Sequence, residues 1–280
     1  MEQFSLIVLD LGGTKLNIGR YRDGKIEHSV LYPFDNTMSV SHSIDFLCNC
    51  INEQKLADTI GIAIGVPSIV NVDQGVVFNA VNIKSWQEVP LKEALEKRFN
   101  FPVYVNNDVN CFTKGEHLFG VGQGCKDLVG LCLGTGLGAG IILQGNLFIG
   151  ANCCAGEVGG FSYLDGYLDD YCSGSFFKKH YQQCGSELAK LAREGDKRAL
   201  TAFEKFGEHL AVAIKHLLLM IDPQLIVLGG SVSKSFDLFI DSVWKNLDDF
   251  PYANVIENLA IEKSQQKNSA LLGAAHLYLA

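Results

Sequence analysis

The sequence predicts an α/β protein of two related lobes, and three observations carry that prediction. Apolar strand-like runs come first and amphipathic helical stretches follow, interleaved with further short strands, which is the order of an α/β lobe. The stretch Leu9-Asp10-Leu11-Gly12-Gly13-Thr14 returns in altered form as Leu131-Cys132-Leu133-Gly134-Thr135-Gly136. Each time a second strand and a glycine-containing turn follow at a similar distance. The 280 residues suffice for two domains with hydrophobic cores of their own. The expectation is an N-terminal α/β lobe over residues 1–118, completed by a C-terminal helix over 268–280, and a C-terminal α/β lobe over 119–267.

In the first lobe Phe4–Leu9 is apolar and residues alternate beyond the glycine pair through Arg20. Asp23-Gly24 then turns the chain into Lys25–Leu31, so the start reads as a three-strand meander. Over Ser41–Asn52, Ile44, Leu47, Cys48 and Ile51 share one helical face. A strand over Ile60–Ile64, a helix over Leu91–Phe99, a short strand over Pro102–Val105 and a helix over Val109–Leu118 follow. Gly122-Gln123-Gly124 suits a flexible connection to the second lobe, where Asp127–Leu133 and Gly138–Leu143 read as strands and Gln144-Gly145-Asn146 turns into a third. Asp196 is placed to cap a long helix whose Leu200, Phe203, Phe206, Leu210, Ile214 and Leu217 form an apolar stripe. Asp222-Pro223 ends it, a buried strand Leu225–Leu228 leads to Gly229-Gly230, and a helix from Ser269 to Tyr278 closes the chain.

A hydrophobic fraction of 48% against 19% charged residues excludes a disordered chain. The formal net charge is −8 and no Lys/Arg cluster interrupts it, so neither a nucleic-acid partner nor an anionic membrane is expected. No stretch is apolar enough over its length to span a bilayer, since Lys215 and His216 interrupt the best candidate upstream of Leu217–Ile221. Met1-Glu2-Gln3 carries no basic leader region, so export is not expected. Nine cysteines, an odd count dispersed through apolar segments, fit reduced thiols and a cytoplasmic location.

Three glycine turns and one acidic strand end are the candidates for chemistry. In Asp10-Leu11-Gly12-Gly13-Thr14-Lys15 the glycines let backbone approach a phosphate, and successive N–H groups can point at its oxygens. Thr14 adds a hydroxyl, Lys15 a cation, and Asp10 is placed to hold a hydrated Mg²⁺. A tight hairpin would use the same Gly-Gly pair for shape alone. The spacing is not that of the P-loop, whose Lys opens a helix. Leu133–Gly140 carries four glycines between apolar strands. Strand twisting or a bulge would account for some of them, but two such loops, one per lobe, are better explained as a phosphate clamp. Gly229-Gly230 follows a buried strand, where α/β proteins commonly place a nucleotide. Asp108 lies after a strand and before a helix and is the candidate general base for a hydroxyl. The competing role, open to Asp108 and Asn107 alike, is the helix cap.

Taken in order, Asp10–Lys15, Asn107-Asp108, Leu133–Gly140, Gly156-Glu157-Val158-Gly159, Gly229-Gly230 and Gly273-Ala274-Ala275 resemble the ROK family of bacterial sugar kinases and repressors, over nearly the whole chain. The resemblance implies the two-lobed actin-like, hexokinase-type (ribonuclease H-like) ATPase fold. It implies ATP and Mg²⁺ bound by Asp10, Gly12, Gly13, Thr14 and Lys15 and by Gly134, Thr135 and Gly136. Gly229 and Gly230 would lie against the nucleotide, and Asp10 would be the metal ligand. It implies a sugar bound by Ser68, Asn82, Asn107, Asp108, Glu157 and Asp169, with Asp108 acting on a hexose hydroxyl, typically the 6-hydroxyl. Asp169 stands where the family usually has a sugar-binding Glu. Closure of the lobes over both substrates would exclude water and limit wasteful ATP hydrolysis. Glucose is the default substrate by family frequency, with N-acetylmannosamine, N-acetylglucosamine, fructose and allose open, and a homodimer is common among similar proteins.

The chain departs from the family pattern at the sugar end. Members commonly follow Gly-Glu-x-Gly with a His and then a cysteine cluster that binds structural zinc. Here the His position is Gly160, and Phe161–Tyr171 holds neither cysteine nor histidine. Zinc takes about four N/S ligands. Cys153-Cys154 are adjacent, Cys172 stands alone, and Cys48 and Cys50, two apart on a helix, should point to different faces. No zinc site is expected, and losing the His withdraws one sugar contact near the anomeric end. His117, His209 and His276, all in helical contexts, are expected on the surface or in packing. The rival reading is a sugar-binding regulator or sensor of the same family. The acidic balance and the short run before the first strand argue against a DNA-binding repressor, and intact Asp108 and Asp10–Lys15 argue against a degenerate binding protein.

Overall fold

The computed structural model describes residues 4–280, so Met1–Gln3 and the expectation about a leader lie outside the described residues. The chain forms two compact units. Unit 1 runs through Gly124 and also takes Leu147–Ala155 and Gln266–Ala280; unit 2 is Cys125–Asn146 with Gly156–Gln265. Residues 119–124 and 147–155, expected in the C-terminal lobe, therefore cluster with unit 1. The reasons are local: the N–H groups of Gly120 and Gly122 both donate to Glu116 O, and Ile149 and Cys153 join the unit 1 core.

In unit 1, β1 (Ser5–Leu11), β2 (Lys15–Arg22) and β3 (Lys25–Pro33) form the antiparallel meander, and α1 (Val40–Gln54) follows, capped by Ser39. Next come β4 (Thr59–Val66), a small sheet of β5 (Ile69–Asn71), β6 (Val76–Phe78) and β7 (Glu88–Pro90), then α2 (Leu91–Phe99), β8 (Val103–Asn107) and α3 (Asp108–Phe119). The main sheet has the order β3-β2-β1-β4-β8, with β4 parallel to both β1 and β8. β1 is covered on both faces, which is why it reads as a continuous apolar run. Ile7, Leu9 and Leu11 pack with Leu47 and Ile51 of α1, while Leu6 and Val8 pack on the opposite face with Cys111 of α3. Strand alternation then puts Asp10 on the α3 face, at the end of β1.

Unit 2 repeats the plan. It contains β9 (Leu128–Leu133) and β10 (Leu137–Leu143), and at Asn146 the start of β11 (Asn146–Phe148), whose last two residues cluster with unit 1; the two-residue strands β12 (Ser162–Tyr163) and β13 (Gly166–Tyr167) follow. Helices α4 (Leu168–Tyr171), α5 (Gly174–Tyr181), α6 (Gly185–Arg193) and α7 (Lys197–Ile221) follow, then β14 (Leu225–Gly229), α8 (Phe236–Lys245), α9 (Ala253–Glu257) and β15 (Ala260–Lys263). The sheet order β11-β10-β9-β14-β15 matches that of unit 1 strand for strand in order of appearance. Asp196 caps α7 by accepting from Ala199 N–H at 2.8 Å, and Asp222 ends it in the left-handed conformation. The α7 stripe needs one correction: Leu200 is 43% exposed, while Phe203, Phe206, Leu210, Ile214 and Leu217 are buried. Ala199 and Ala202 take the core positions of that first turn.

The last helix, α10 (Ser269–Leu279), returns to unit 1 and packs along α3. Two glycines permit it: a Cβ on Gly115 would lie 1.9 Å from Ser269 O, and one on Gly273 would lie 1.8 Å from Cys111 O. Between them the buried Glu116 carboxylate accepts from Ser269 Oγ at 2.5 Å and from Val121 N–H at 3.3 Å. The glycine-rich stretch after α3 is thus a hydrogen-bonded turn rather than a loose connection. Cys48 and Cys50 are both buried, because α1 is covered on more than one side. No helix among the described residues is long and apolar enough to cross a membrane.

Candidate active site

Unit 1 gathers one set of candidates at the ends of β1, β4 and β8. In the β1–β2 turn Gly12 N–H donates to Lys15 O at 2.8 Å and Phe34 N–H donates to Thr14 O at 2.9 Å. The N–H groups of Gly13 and Thr14 meet no acceptor among the described residues. Thr14 and Lys15 are exposed. Gly13 has a reason the sequence did not disclose: a Cβ there would sit 2.5 Å from Asn82 Cβ. The Asn82 loop therefore presses on the turn, and Asn82 itself is half-buried.

Asn107 settles the capping question. Its Oδ1 accepts from Val109 N–H at 2.8 Å and Asn110 N–H at 3.0 Å, and its Nδ2 donates to Ser68 O at 3.2 Å. Asp108 is left as the first residue of α3, where the helix N-terminus favours a carboxylate, and its Oδ1 accepts from Val109 N–H at 2.9 Å. Ser68 is buried and its hydroxyl donates to Phe78 O. Behind Asp108 the buried Asn106 accepts from Asn107 N–H at 2.8 Å and Asn110 Nδ2 at 3.1 Å, so the strand–helix junction is fixed from inside. Burial, then the charges of Asp10 and Asp108, push the Cys111 thiol well above its usual range. Asp10 pairs with Gly65 of β4, where a Cβ would lie 3.2 Å from Asp108 Cα and 3.3 Å from Cys111 Sγ, so both acidic residues stand at the same end of the sheet beside α3.

Burial pushes the Asp10 carboxyl up to about 6. Desolvation of that kind is what a nearby cation offsets. Mg²⁺ commonly takes one or two carboxylates and keeps waters and substrate phosphates as its other ligands, so a single half-buried carboxylate beside a turn of unpaired N–H groups fits it. Zinc is different. Among the described residues no three His, Cys, Asp or Glu side chains are grouped to hold a metal ion. The β12–β13 hairpin is held by rings. Tyr163 Oη lies 3.1 Å from His209 Nδ1, and the Tyr171 ring packs on Tyr163 and His209 with centroids 5.2 and 4.9 Å apart.

Unit 2 carries the second glycine turn, the two acidic candidates and Gly229-Gly230. Gly134 N–H donates to Gly136 O at 3.0 Å, and the N–H groups of Thr135 and Gly136 meet no acceptor among the described residues. Asp169 lies against this turn: its Oδ1 accepts from Leu137 N–H at 2.5 Å and sits 2.8 Å from where a Gly136 Cβ would be. Burial raises the Asp169 carboxyl despite that bond, and burial followed by the Asp169 charge raises Glu157. Gly229 ends β14, and Gly230 has φ +84° with a would-be Cβ 2.4 Å from Leu133 O, so no other residue fits there. Gly160 is the opposite case, with no atom within 4 Å of a would-be Cβ. Ser173 and Ser175, which bond the Thr135 carbonyl, were not read from the sequence. Their only signal was a serine pair opening a helix.

Comparison with known proteins bears on the family and the fold. A xylose repressor from Caldicellulosiruptor bescii is 31% identical over 76% of this chain, which spans only 60% of that repressor's length. An N-acetyl-D-glucosamine kinase from Vibrio parahaemolyticus is 30% identical over 96% of this chain and 98% of its own. The crystal structure of a ROK family glucokinase from Streptomyces griseus, in complex with glucose and AMPPNP, superposes with a TM-score of 0.86 at 26% identity, covering 98% of both chains. With the fold of this glucokinase, and with the ROK family pattern matching residues 6–280, the chain belongs to the ROK family.

Proposed function

We propose that the protein is an ATP-dependent sugar kinase that transfers the γ-phosphate to a hexose hydroxyl, with Asp108 as general base. The observation that carries the reading is the division of labour at the β8–α3 junction. Asn107 takes the cap and Asp108 opens α3 with its Oδ1 accepting from Val109 N–H, a carboxylate at a helix N-terminus. Asp10 stands at the same sheet end, paired with Gly65 against Asp108, and the unpaired N–H groups of Gly13 and Thr14 follow three and four residues later in the chain. In this reading Asp108 accepts the proton of the attacking hydroxyl. In unit 1, Ser68, Asn82 and Asn107 bind sugar and the Gly12–Lys15 turn binds phosphate. In unit 2, Glu157 binds sugar, the Gly134–Gly136 turn binds phosphate and Gly229-Gly230 lie against the nucleotide. Mg²⁺ on Asp10 would neutralise phosphate charge. The substrate is a hexose of the glucose or N-acetylhexosamine class, and the protein acts in the cytoplasm.

Coupled ADP release across a panel of glucose, N-acetylglucosamine, N-acetylmannosamine, fructose and allose tests this directly. Sugar-dependent turnover is expected, and Asp108→Asn should lower kcat by about 10²–10⁴-fold with KM little changed. Near-normal turnover in Asp108→Asn would exclude the assigned base. The similarity to a xylose repressor favours one second reading, a sugar sensor. Sugar binding without sugar-dependent ADP release would select it.

A further inference from the structure

Gly13 is required for space and not for backbone shape. Its φ lies outside the left-handed region that favours glycine, so an L side chain would strain no dihedral there. What forbids one is Asn82. A Cβ on Gly13 would meet Asn82 Cβ at 2.5 Å, Asn82 Cγ at 3.1 Å and Asn82 Nδ2 at 3.6 Å. The phosphate turn of unit 1 and the side chain proposed for the sugar are thus packed together with no room for a methyl group between them.

The two partners are not equally free to move. The Asn82 loop stands on a closed base, in which Ala80 N–H donates to Trp86 O at 2.9 Å, Ile83 N–H to Ala80 O at 3.1 Å and Trp86 N–H to Ile83 O at 2.9 Å. Ala80, Ile83 and Trp86 are buried, and the Trp86 indole N–H donates to Ser43 Oγ of α1 at 2.8 Å. Ser85 Oγ donates to Met38 O at 2.7 Å, tying the same loop to the segment before α1. Across the contact, the turn keeps the Gly13 and Thr14 N–H groups open. The anchored loop therefore sets where Gly13 lies. The Asn82 amide itself is half-buried and makes no hydrogen bond among the described residues, so its oxygen and nitrogen are both available to a ligand.

We propose that Asn82 is a positioning residue for the Gly12–Lys15 turn as well as a sugar ligand, so that a sugar on its amide and a phosphate on the turn strengthen each other's binding. The proposal rests on the kinase reading and adds the coupling of its two substrates through one side chain. A hydroxyl bonded to the Asn82 amide restrains the side chain whose Cβ backs Gly13, and the phosphate then meets a turn that is already ordered. Linkage makes the effect reciprocal: sugar raises nucleotide affinity by the same factor as nucleotide raises sugar affinity.

Calorimetry on the full chain measures that factor. Mg·AMPPNP is titrated without sugar and at saturating sugar, using whichever of glucose, N-acetylglucosamine and N-acetylmannosamine binds the wild type most tightly. Wild type should show coupling of about 5–150-fold, and Asn82→Ala, which keeps the Cβ and removes the amide, should bring the factor to within about twofold of one. Gly13→Ala should weaken Mg·AMPPNP without sugar about 5–30-fold, because the turn must yield by about 0.5 Å to open the 2.5 Å contact to 3.0 Å. Adding Asn82→Gly to Gly13→Ala vacates the space and should restore most of that affinity, a rescue that a general loss of stability would not produce. If Gly13→Ala folds poorly, the Asn82→Ala factor decides alone. A wild type that binds both ligands without coupling would overturn the proposal and leave the kinase reading standing. So would coupling retained in Asn82→Ala, a folded Gly13→Ala that binds as wild type does, or a double variant no better than Gly13→Ala. Wild-type protein that binds no Mg·AMPPNP would overturn both.

Discussion

Substituting Gly115 by alanine places a methyl carbon 1.9 Å from Ser269 O, and a carbon must keep at least 3.0 Å, so α3 and α10 have to part by 3.0 − 1.9 = 1.1 Å. The opposing atom is a backbone carbonyl, so no side-chain rotation can relieve the contact. Separation would loosen Cys111, Leu271, Leu272, Ala274 and Ala275, all buried at this contact, and would stretch the Glu116–Ser269 bond. Overpacking of a tight core costs about 1–3 kcal/mol, and a backbone clash belongs at the upper end. The better helix propensity of alanine returns about 1 kcal/mol, leaving a net loss of about 2 kcal/mol. The loss should also reach function, because α3 begins at Asp108 and a displacement of about 1 Å at a reacting group costs on the order of 10²-fold in rate. Urea unfolding monitored by far-UV circular dichroism reads the first quantity, and sugar-dependent ADP release reads the second. Gly160→Ala, at a position with nothing within 4 Å of the added carbon, is the matched control and should be neutral in both. A Gly115→Ala protein within about 0.5 kcal/mol of wild type and fully active would refute the reasoning, since surface-like tolerance is incompatible with that contact.

Two other perturbations follow from the site and its surroundings. Gly160→His should fold normally, because the space beside Gly160 is open, and should lower the KM for the preferred sugar if the imidazole regains a hydroxyl. An unchanged KM across the sugar panel would mean the family contact is supplied elsewhere. Burial, followed by the charges of His180 and Lys205 against that of Glu208, holds the His209 imidazole below its usual pKa. The unfolded chain therefore takes up that proton first, and stability should decline as pH falls below about 6.5. His209→Phe keeps the ring packing against Tyr163, Tyr171 and Phe176 and should show a shallower decline in thermal midpoint between neutral and acidic pH, whereas an equal slope would assign the titration to other groups.

Sequence reading works best where one physical signal dominates. β1 is legible because it is apolar on both faces, and α7 because Asp196 caps it and a period of 3.6 runs for 25 residues. β5, β6, β7, β12 and β13 are two or three residues long, too short for any period to register. Position within a helix is also harder than its existence. Leu200 fits the stripe by spacing, but Ala199 and Ala202 fill the core there and leave it in solvent. The glycines of the two turns are the instructive case. They read as room for a phosphate, yet at Gly13 and Gly136 the space is taken by Asn82 and Asp169 of the protein itself. Only packing distances separate those two requirements. The same holds for Asn107 and Asp108, neighbours of similar shape, where the sequence leaves the cap open and two hydrogen bonds, from Val109 N–H and Asn110 N–H, assign it to Asn107.

The return of α10 to unit 1 has a consequence for the order in which the chain is made. Glu116 and Ser269 are 153 positions apart, and at bacterial translation rates that separation lasts roughly 8–30 s on the ribosome. Throughout that interval the sheet face formed by Leu6 and Val8, with Cys111 of α3, lacks the helix that covers it, although every strand beneath it has been synthesised. Unit 2 emerges in the meantime and can complete its own core. The N-terminal half of the protein is thus the last to close, and its nascent apolar face is where a ribosome-associated chaperone would find the chain longest exposed.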